Sequence, residues 1–458
     1  MSVDSREIAR RLLARGGYST VNVDTGPESI GRGPTAAEPA AAGHGKGQRS
    51  GSLADHPDVA ATTAQFDGVD RMFAELGVPN PLYLPHDGTA GATIRQLDRD
   101  MINFGSFNYL GLSSDRRVMD AAKDAIDRYG TSVSGSRIVS GQIPLYEEFE
   151  SALARTYDVD DTVITASGYL TNAAAVGYLL GKGDLAVCDT LVHSSIVSGT
   201  EWAGCRRVLF RHNDPDALEA ILKMSRGSFA RAMVILESHY SMDGDVAVLP
   251  ELIAVARRYD CAVMVDEAHA FGVLGQRGLG IRELYDLPGD AVDVWMGTMS
   301  KALGSVGGFL AGSRELIRGF KYSAPGLSMF TAGPAPSAVA AANTALNVLT
   351  AEPDRVERLR ENGRYAFTRA RSHGFDTGTA EGTSILPIVI GDTQRTVLAC
   401  VALLHQGINV NAITYPSVPV GQERLRFFLS SEHTHAQIDA ALTALASFVD
   451  GVGAPGAS

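Results

Sequence analysis

From about Asp67 onward, short apolar runs alternate with longer segments whose apolar residues have helical spacing. The apolar runs are Thr162–Thr165, Leu185–Cys188, Ala232–Leu236, Cys261–Val265 and Val292–Met296. They are rich in Val and Ile and lack polar alternation, which is typical of strands that are buried on both faces. The segments with helical spacing include Val118–Tyr129, Pro144–Thr156, Leu170–Leu180 and Leu249–Tyr259. This alternation predicts an α/β fold with a mostly parallel central sheet sandwiched by helices.

The pattern changes near both ends of the chain. A long helix is predicted from Ser337 to Thr350, and the later strands Ser384–Ile390 and Arg424–Leu429 indicate a smaller α+β C-terminal domain. Residues 31–52 are almost all Gly, Ala, Pro and small polar types, which cannot bury enough apolar surface to offset the entropy of ordering. Before them, Ser5 to Arg15 has the pattern of a short amphipathic helix. We therefore predict a largely disordered N-terminal extension (1–60), an N-terminal arm (61–105), a large domain (106–335) and a small C-terminal domain (336–458).

Composition narrows the classes of function. Lys and Arg number 40 and Asp and Glu 52, so the net charge is −12. Because nucleic-acid binding requires a basic face, we expect no nucleic-acid partner. No apolar run approaches the roughly 20 residues of a membrane helix, so we expect no membrane span. The four cysteines are scattered and form no Cys-x-x-Cys pair, which predicts no metal site, a reducing compartment and a cytoplasmic location.

Reactive side chains follow the predicted strands, at the ends where parallel α/β sheets bind ligands. Gly168 and Tyr169 follow the first strand and open a helix, whose free N–H groups can bind an anion. The residues that follow the other strands include His193, Glu237, Asp266, His269, Thr298, Ser300 and Lys301. Singly, such residues are more often helix caps, interior histidines, turn residues and solvated lysines. Together they supply the lysine, the carboxylate and the phosphate site that pyridoxal 5′-phosphate (PLP) requires.

Several segments resemble, in chain order, the motifs of the α-oxoamine synthases. They are Phe107–Leu112 (FNYLGL), Gly130–Arg137 (GTSVSGSR), Arg211–Asn213 (RHN), Ser241–Asp245 (SMDGD), Asp266–His269 (DEAH), Gly297–Lys301 (GTMSK) and Gly307–Phe309 (GGF). These PLP enzymes condense an amino acid with an acyl thioester. They include 8-amino-7-oxononanoate synthase, 2-amino-3-ketobutyrate ligase, 5-aminolevulinate synthase and serine palmitoyltransferase, and the lysine motif is closest to the last. The resemblance spans roughly Phe66 to Val449 and implies the type I fold of PLP-dependent aminotransferases, with residues 106–335 binding the cofactor.

The resemblance also implies roles in catalysis. Lys301 would form the Schiff base with PLP and move the α-proton of the substrate. Asp266 would pair with the pyridine nitrogen of the cofactor. His269 would hydrogen-bond its 3′-oxygen, and His193 would stack on the face of its ring.

Further residues are implied to bind the phosphate and the substrate. The phosphate would be held by Gly168, Tyr169, Thr298 and Ser300. Thr331 would reach the phosphate of the other subunit, so the resemblance implies a homodimer with shared active sites. Arg426 would hold the carboxylate of the amino acid, where its planar fork suits the geometry. Asn108 and Ser241 would line the substrate side, and Ser241 is counted with the cofactor residues as well.

The implied reaction is a decarboxylating condensation that yields an α-oxoamine, CO2 and a free thiol. The acyl donor is acyl-CoA or an acyl carrier protein, for which the N-terminal extension is a candidate docking segment. Two alternatives stay open: a PLP-dependent aldolase or decarboxylase that uses no thioester, and a non-catalytic partner subunit, against which the presence of Lys301 argues. Thr414, Tyr415 and Pro416 stand where the family often has Arg-Pro-Pro, so the resemblance assigns neither the amino acid nor the acyl length.

Overall fold

The structure, a computed structural model, describes residues 52–452. The helix predicted for Ser5 to Arg15 and nearly all of the low-complexity segment lie outside these residues. The α-helices are α1 (Pro57–Leu76), α2 (Arg116–Tyr129), α3 (Pro144–Tyr157), α4 (Gly168–Leu179), α5 (Ser194–Ala203), α6 (Pro215–Ser225), α7 (Leu249–Arg258), α8 (Ile281–Leu284), α9 (Arg314–Ser323), α10 (Pro336–Ala351), α11 (Asp354–Ser372), α12 (Thr393–His405) and α13 (His435–Val452). No helix in this part of the chain combines the length and the apolar character needed to cross a membrane.

The strands fall into one large and two small sheets. They are β1 (Thr93–Gln96), β2 (Arg99–Asn103), β3 (Asp161–Thr165), β4 (Leu185–Asp189), β5 (Arg206–Phe210), β6 (Ala232–Glu237), β7 (Ala262–Asp266), β8 (Val294–Thr298), β9 (Gly308–Gly312), β10 (Ile385–Val389), β11 (Ile408–Asn409), β12 (Asn411–Ile413) and β13 (Arg424–Phe428). The large sheet has the order β3-β9-β8-β7-β6-β4-β5. Strands β4 to β8 pair in parallel, and only β9 pairs antiparallel to its neighbours β3 and β8 in this sheet.

Every residue of β4, β6 and β8 is buried. Helices cover both faces of the sheet, so these strands need no polar side, and their sequences read as continuous apolar runs. The predicted α/β fold with a mostly parallel sheet is confirmed. Strand β8 ends at Thr298, two residues beyond the predicted end at Met296, so Thr298 belongs to the strand itself.

Strand β9 was not predicted, because glycine at both ends lowers its apparent strand propensity. The structure gives the reason for one of these glycines. A Cβ atom at Gly308 would lie 2.5 Å from Oγ1 of Thr171 and 2.9 Å from Cα of Gly168. Gly308 therefore allows the first turn of α4 to pack directly on the sheet.

The N-terminal region joins the small domain through a strand pairing. Strand β2 pairs with β1 in a hairpin and in parallel with β11, where Asn103 faces Asn409. The second small sheet has the order β10-β13-β12 and is antiparallel. The amide of Phe428 in β13 donates to the carbonyl of Phe104, at 2.9 Å. This contact places the FNYLGL segment, which follows Phe104 in the chain, next to strand β13.

Helix α1 begins at Pro57, inside the range 1–60 that was predicted as the extension. Proline is favoured at the first position of a helix, and His56 caps it by accepting from the amide of Asp58. Residues 57–60 therefore belong to a helix in the structure.

Candidate active site

A cavity lies at the carboxyl ends of strands β3, β4, β6, β7 and β8. Eight of the predicted site residues line it: Gly168, Tyr169, His193, Asp266, His269, Thr298, Ser300 and Lys301. Ser167, Asn172, Ser195 and Glu237 line it as well, although the sequence analysis gave them no role. The strand ends predicted to converge therefore do so in one place.

The first turn of α4 forms one wall of this cavity. Ser167 caps the helix by accepting from the amide of Leu170 at 3.4 Å, while the amides of Gly168 and Tyr169 lie in the first turn, where N–H groups have no intrahelical acceptor. A Cβ atom at Gly168 would lie 2.9 Å from Oγ1 of Thr298. Only glycine therefore brings these amides so close to the Thr298 hydroxyl, and the arrangement suits an anion such as a phosphate.

The carboxylate of Asp266 is held on both oxygens. Its Oδ1 accepts from the amide of Ala268 at 2.8 Å, and its Oδ2 accepts from Nδ2 of Asn172 at 2.7 Å. Asn172 also donates to Oγ of Ser195 at 2.9 Å. Asn172 is 1% exposed, although most of its neighbours in α4 are small or apolar residues. An amide side chain among such residues is the sequence signal that could have identified Asn172 as a site residue.

The two histidines lie at the same cavity and are both uncharged. Burial lowers the pKa of His193, and although the charge of Asp266 opposes this, Lys301 lowers it further. Burial also holds the pKa of His269 well below its usual value, with Lys301 acting in the same direction. The hydroxyl of Tyr109 lies 2.7 Å from Nδ1 of His269. Both rings can therefore offer hydrogen bonds to a bound molecule without a net charge.

Lys301 follows β8 and lines the cavity, and the pKa of its amine is shifted. Burial lowers the pKa of Lys301, while the negative charge of Asp266 opposes the shift. A lowered pKa increases the fraction of neutral amine, which is the nucleophile in Schiff-base formation. Burial raises the pKa of Glu237 well above its usual value, and its Oε1 is buried with no partner among the described residues.

Four predicted residues do not line the cavity in the described part of the chain. Thr331 lies near the surface, where its hydroxyl donates to the carbonyl of Ala332 at 3.4 Å. Asn108 is buried; its Nδ2 donates to the carbonyl of Ala90 at 3.0 Å, and its Oδ1 accepts from the amide of Ser113 at 3.3 Å. The nitrogen and the oxygen of the Asn108 side chain are thus both hydrogen-bonded to backbone groups.

The other two, Arg426 and Ser241, contact each other. The guanidinium of Arg426 donates to the carbonyl of Ser241 at 3.0 Å and lies 4.4 Å from the ring centre of Phe428. Nε of Arg426 is buried without a hydrogen-bond partner in residues 52–452. The ring of Phe428 in turn stacks on His269 at 6.2 Å between centres. Arg426 is therefore linked to the cavity through Phe428, with a donor that is still free.

Comparisons with known proteins agree with this architecture. Residues 99–445 match the family model for aminotransferase class I and II. The chain is 39% identical over 355 residues to 8-amino-7-oxononanoate synthase of Fervidobacterium nodosum, covering 77% of this chain and 89% of that protein. It is 36% identical over 343 residues to serine palmitoyltransferase of Sphingobacterium spiritivorum, covering 75% of this chain and 85% of that protein.

Solved structures of serine palmitoyltransferase are similar as well. The enzyme of Sphingomonas wittichii superposes with a TM-score of 0.82 at 30% identity, over 88% of this chain and 99% of that one. A serine palmitoyltransferase variant of S. paucimobilis with bound PLP and myriocin gives a TM-score of 0.80 at 31% identity, over 85% and 98%.

The fold and the cavity define a PLP-dependent enzyme of fold type I. The chain belongs to the aminotransferase class I and II family, within the α-oxoamine synthase group of acyltransferases that contains 8-amino-7-oxononanoate synthase and serine palmitoyltransferase. PLP is its cofactor. The predictions of family, fold, enzyme class and cofactor are confirmed.

The residues that line the cavity fit this cofactor. The cradle at Gly168, which a Cβ atom would fill, can receive the phosphate. The buried amine of Lys301 and the doubly held carboxylate of Asp266 supply the covalent attachment and the partner for the ring nitrogen.

Proposed function

We propose that this protein condenses an amino acid with an acyl thioester, releasing CO2 and a free thiol and forming an α-amino ketone. The new carbon–carbon bond joins Cα of the amino acid to the acyl carbon, the thioester bond breaks, and the carboxyl group leaves as CO2. The observation that carries the proposal is that Lys301 and Asp266 line one cavity whose wall is the anion-binding turn of α4. That combination serves carbanion chemistry on an amino acid.

When bound, PLP supplies an electron sink that stabilises negative charge at Cα of the amino acid. Lys301 holds the cofactor and moves the α-proton, for which a buried amine of lowered pKa is suited. Asp266 would keep the ring nitrogen protonated. His193 would cover one face of the ring, and His269 would donate to its 3′-oxygen. Strands β6 and β8, which end at the cavity, are buried along their whole length and limit the access of water from below.

Arg426 is proposed to bind the carboxylate of the amino acid. Its unpartnered, buried Nε is a donor that a carboxylate can satisfy. The Phe428 ring and the Ser241 carbonyl hold the guanidinium in place. Because Phe428 also stacks on His269, the same ring orients a substrate contact and a cofactor contact.

Replacement of the lysine tests the proposal. We expect Lys301→Ala to abolish condensation and to remove the visible absorption that PLP shows when it is bound covalently. The assay crosses the common amino acids with short and long acyl thioesters and measures both thiol and CO2. Thiol release that depends on the amino acid supports the proposal. CO2 or aldol cleavage without thiol release from any thioester would establish the alternative, an aldolase or a simple decarboxylase.

We also propose that the active enzyme is a homodimer in which Thr331 reaches the phosphate bound by the partner. An exposed apolar patch beside Thr331 consists of Ile138, Val139 and Phe330, of which Val139 is 82% and Phe330 85% exposed. Such a patch favours a protein–protein interface. The two segments that form the patch are joined where Oγ of Ser136 donates to the carbonyl of Ser328 at 2.6 Å.

Mixing inactive variants tests the shared site. Lys301→Ala and Thr331→Ala are each expected to lose activity, and a mixed dimer is expected to regain part of it, because one of its two sites is then intact. Light scattering gives the mass in parallel. A monomeric active species would contradict the proposal.

The acyl donor is proposed to be acyl-CoA or an acyl carrier protein, and the location cytoplasmic, since all four cysteines are free thiols. Deletion of residues 1–51, followed by assays with both donors, tests a docking role for the extension. A selective loss of activity with the carrier-bound donor would support that role, and undiminished activity with both donors would exclude it.

A further inference from the structure

A chain of hydrogen bonds connects Asp266, at the end of β7, with His193, which follows β4; both are predicted cofactor residues. Nδ2 of Asn172 donates to Oδ2 of Asp266 at 2.7 Å and to Oγ of Ser195 at 2.9 Å. Oγ of Ser195 lies 2.8 Å from Nδ1 of His193. Neither Asn172 nor Ser195 belongs to the motifs that revealed the site, yet both line the cavity and are almost completely buried.

The direction of each bond in this chain is fixed by the chemistry of its first member. A carboxylate only accepts, so the group of Asn172 that faces Asp266 must be the amide NH2. Its two protons are then used on Asp266 and Ser195. The opposite orientation of the amide would set its oxygen against the carboxylate of Asp266. In agreement with this, Oδ1 of Asn172 is the atom left buried with no partner within residues 52–452.

The same direction continues to the histidine. Because Oγ of Ser195 accepts from Asn172, its own proton is free to point at Nδ1 of His193. The backbone amide of Ser195 also donates to Nδ1, at 3.3 Å. Two donors therefore face Nδ1, which must carry a lone pair. Burial lowers the pKa of His193 and keeps the ring neutral, which leaves its single proton on Nε2.

We infer that Asn172 is a positioning residue that ties the Asp266 carboxylate to His193 and, through Ser195, fixes His193 as the Nε2–H tautomer. Asp266 would pair with the ring nitrogen and His193 would cover the ring, so one amide would set both contacts to PLP. The inference rests on the proposed function for these two roles, but the tautomer is a property of the chain itself. It leaves Nε2–H as the only ring donor that His193 can turn toward a bound molecule.

The test measures the tautomer and the affinity for PLP separately. The PLP-loaded full chain is labelled with ¹⁵N-histidine, and the ring signals of His193 are assigned by their loss in His193→Gln. We expect Nε2–H in the wild type and a mixture of tautomers in both Asn172→Leu and Ser195→Ala. For Asn172→Leu we also expect PLP to bind about ten- to a hundredfold more weakly, because Asp266 loses a hydrogen bond to a charged group.

Asn362→Leu is the matched control. Asn362 is also buried and donates two hydrogen bonds, to the carbonyls of Ser430 and His433 at 2.9 and 2.8 Å, but it does not line the cavity. It is expected to change neither the tautomer nor the PLP affinity. Should Asn172→Leu fail to fold, Ser195→Ala alone decides, since it removes only a hydroxyl.

Two results would overturn the inference: Nδ1–H in the wild type, or an unchanged tautomer in Asn172→Leu or, where that variant does not fold, in Ser195→Ala. Failure of the proposed function is a different outcome. It would leave the tautomer shift and the loss of PLP affinity intact while no pair of amino acid and thioester is condensed.

Discussion

The hydroxyl of Tyr109 lies 2.7 Å from Nδ1 of His269, and the two side chains are buried together. Burial raises the pKa of Tyr109 and lowers that of His269, so both groups stay neutral and share one proton. The residues are far apart in the chain, in the FNYLGL and DEAH segments, and no local pattern indicates that they meet. Tyr109 thus holds His269 at Nδ1 and leaves Nε2 for the proposed hydrogen bond to the cofactor.

The variant Tyr109→Phe removes this hydrogen bond and keeps the ring, which packs edge-on against His269 and Phe428. We expect kcat to fall roughly tenfold, the value of one buried hydrogen bond, and the absorption of bound PLP to change because His269 is no longer held. Steady-state kinetics and spectra of the holoenzyme measure both effects.

Tyr157→Phe is the control for a lost buried hydroxyl. Its hydroxyl donates to Oε2 of Glu267 at 3.3 Å, and Tyr157 does not line the cavity. We expect this variant to keep kcat and the PLP spectrum. Equal losses in the two variants would mean that Tyr109 acts only through stability.

A second prediction concerns Glu237, whose Cα pairs in register with that of Asp266 on the adjacent parallel strand. Burial, with the charge of Asp266, raises the pKa of Glu237 well above its usual value, which favours the neutral carboxyl group. Glu237→Gln should therefore retain PLP affinity and turnover, because the neutral amide resembles the neutral acid in shape. Asp266→Asn should lose both. A large loss of PLP affinity in Glu237→Gln would show that Glu237 is charged in the holoenzyme.

The predicted site residues that line the cavity share one property. Asp266, His193 and Lys301 each lie at the end of a strand or just after it, and the apolar pattern of the strand marks that end. The ends of parallel strands meet at one edge of the sheet. Asn172 and Ser195 lie inside helices α4 and α5, so their meeting depends on how the two helices pack. No local pattern carries that information.

Arg426 shows the other limit. The resemblance gave it a role, but its link to the cavity depends on Phe428 and on the pairing of the small domain with the N-terminal arm. That pairing joins residues more than 300 positions apart, as in the hydrogen bonds of Asn409 and His433 to Asn103. Sequence periodicity predicts strands and helices, but not which distant segments pair.

A third prediction concerns Arg137 in the glycine-rich segment. Its guanidinium donates to Oε1 of Glu150 at 2.6 Å and to the carbonyl of Ile164 at 3.2 Å, and both side chains of the ion pair are less than 10% exposed. Arg137→Met removes this partner from the buried Glu150, which keeps Lys321 at 3.2 Å from its Oε2. We therefore expect the free energy of unfolding to fall by about 1.5–3 kcal/mol, the value of a hydrogen bond to a charged group.

Urea unfolding measures this loss. Arg116→Met is the control, since Arg116 pairs with Asp120 on the surface and is 75% exposed. Surface pairs contribute about 0–1 kcal/mol, so the control should be nearly neutral. A comparable loss in both variants would contradict the assignment of a buried structural role to Arg137.

The last prediction is a dependence of stability on pH that comes from His212. Burial alone would lower the pKa of His212, but hydrogen bonds from Nδ1 to Asp189 at 3.0 Å and from Nε2 to Asp245 at 2.8 Å outweigh it and raise the pKa to about 10. Because the pKa of His212 is higher in the folded state than its unfolded value of about 6.5, protonation of the ring stabilises the folded protein fully below about pH 6.5. This contribution to the free energy of unfolding is lost as the pH rises through about 10.

The difference in unfolding free energy between the wild type and His212→Gln should therefore be largest at about pH 6 and shrink toward about pH 10. His433 supplies a control of opposite sign, because burial lowers its pKa to about 4. For His433→Gln, the advantage of the wild type should instead grow as the pH rises from about 4 to about 6.5. Urea unfolding across this range measures both curves. A difference for His212→Gln that does not change with pH would show that folding leaves the pKa of this ring at its unfolded value, and would contradict the prediction.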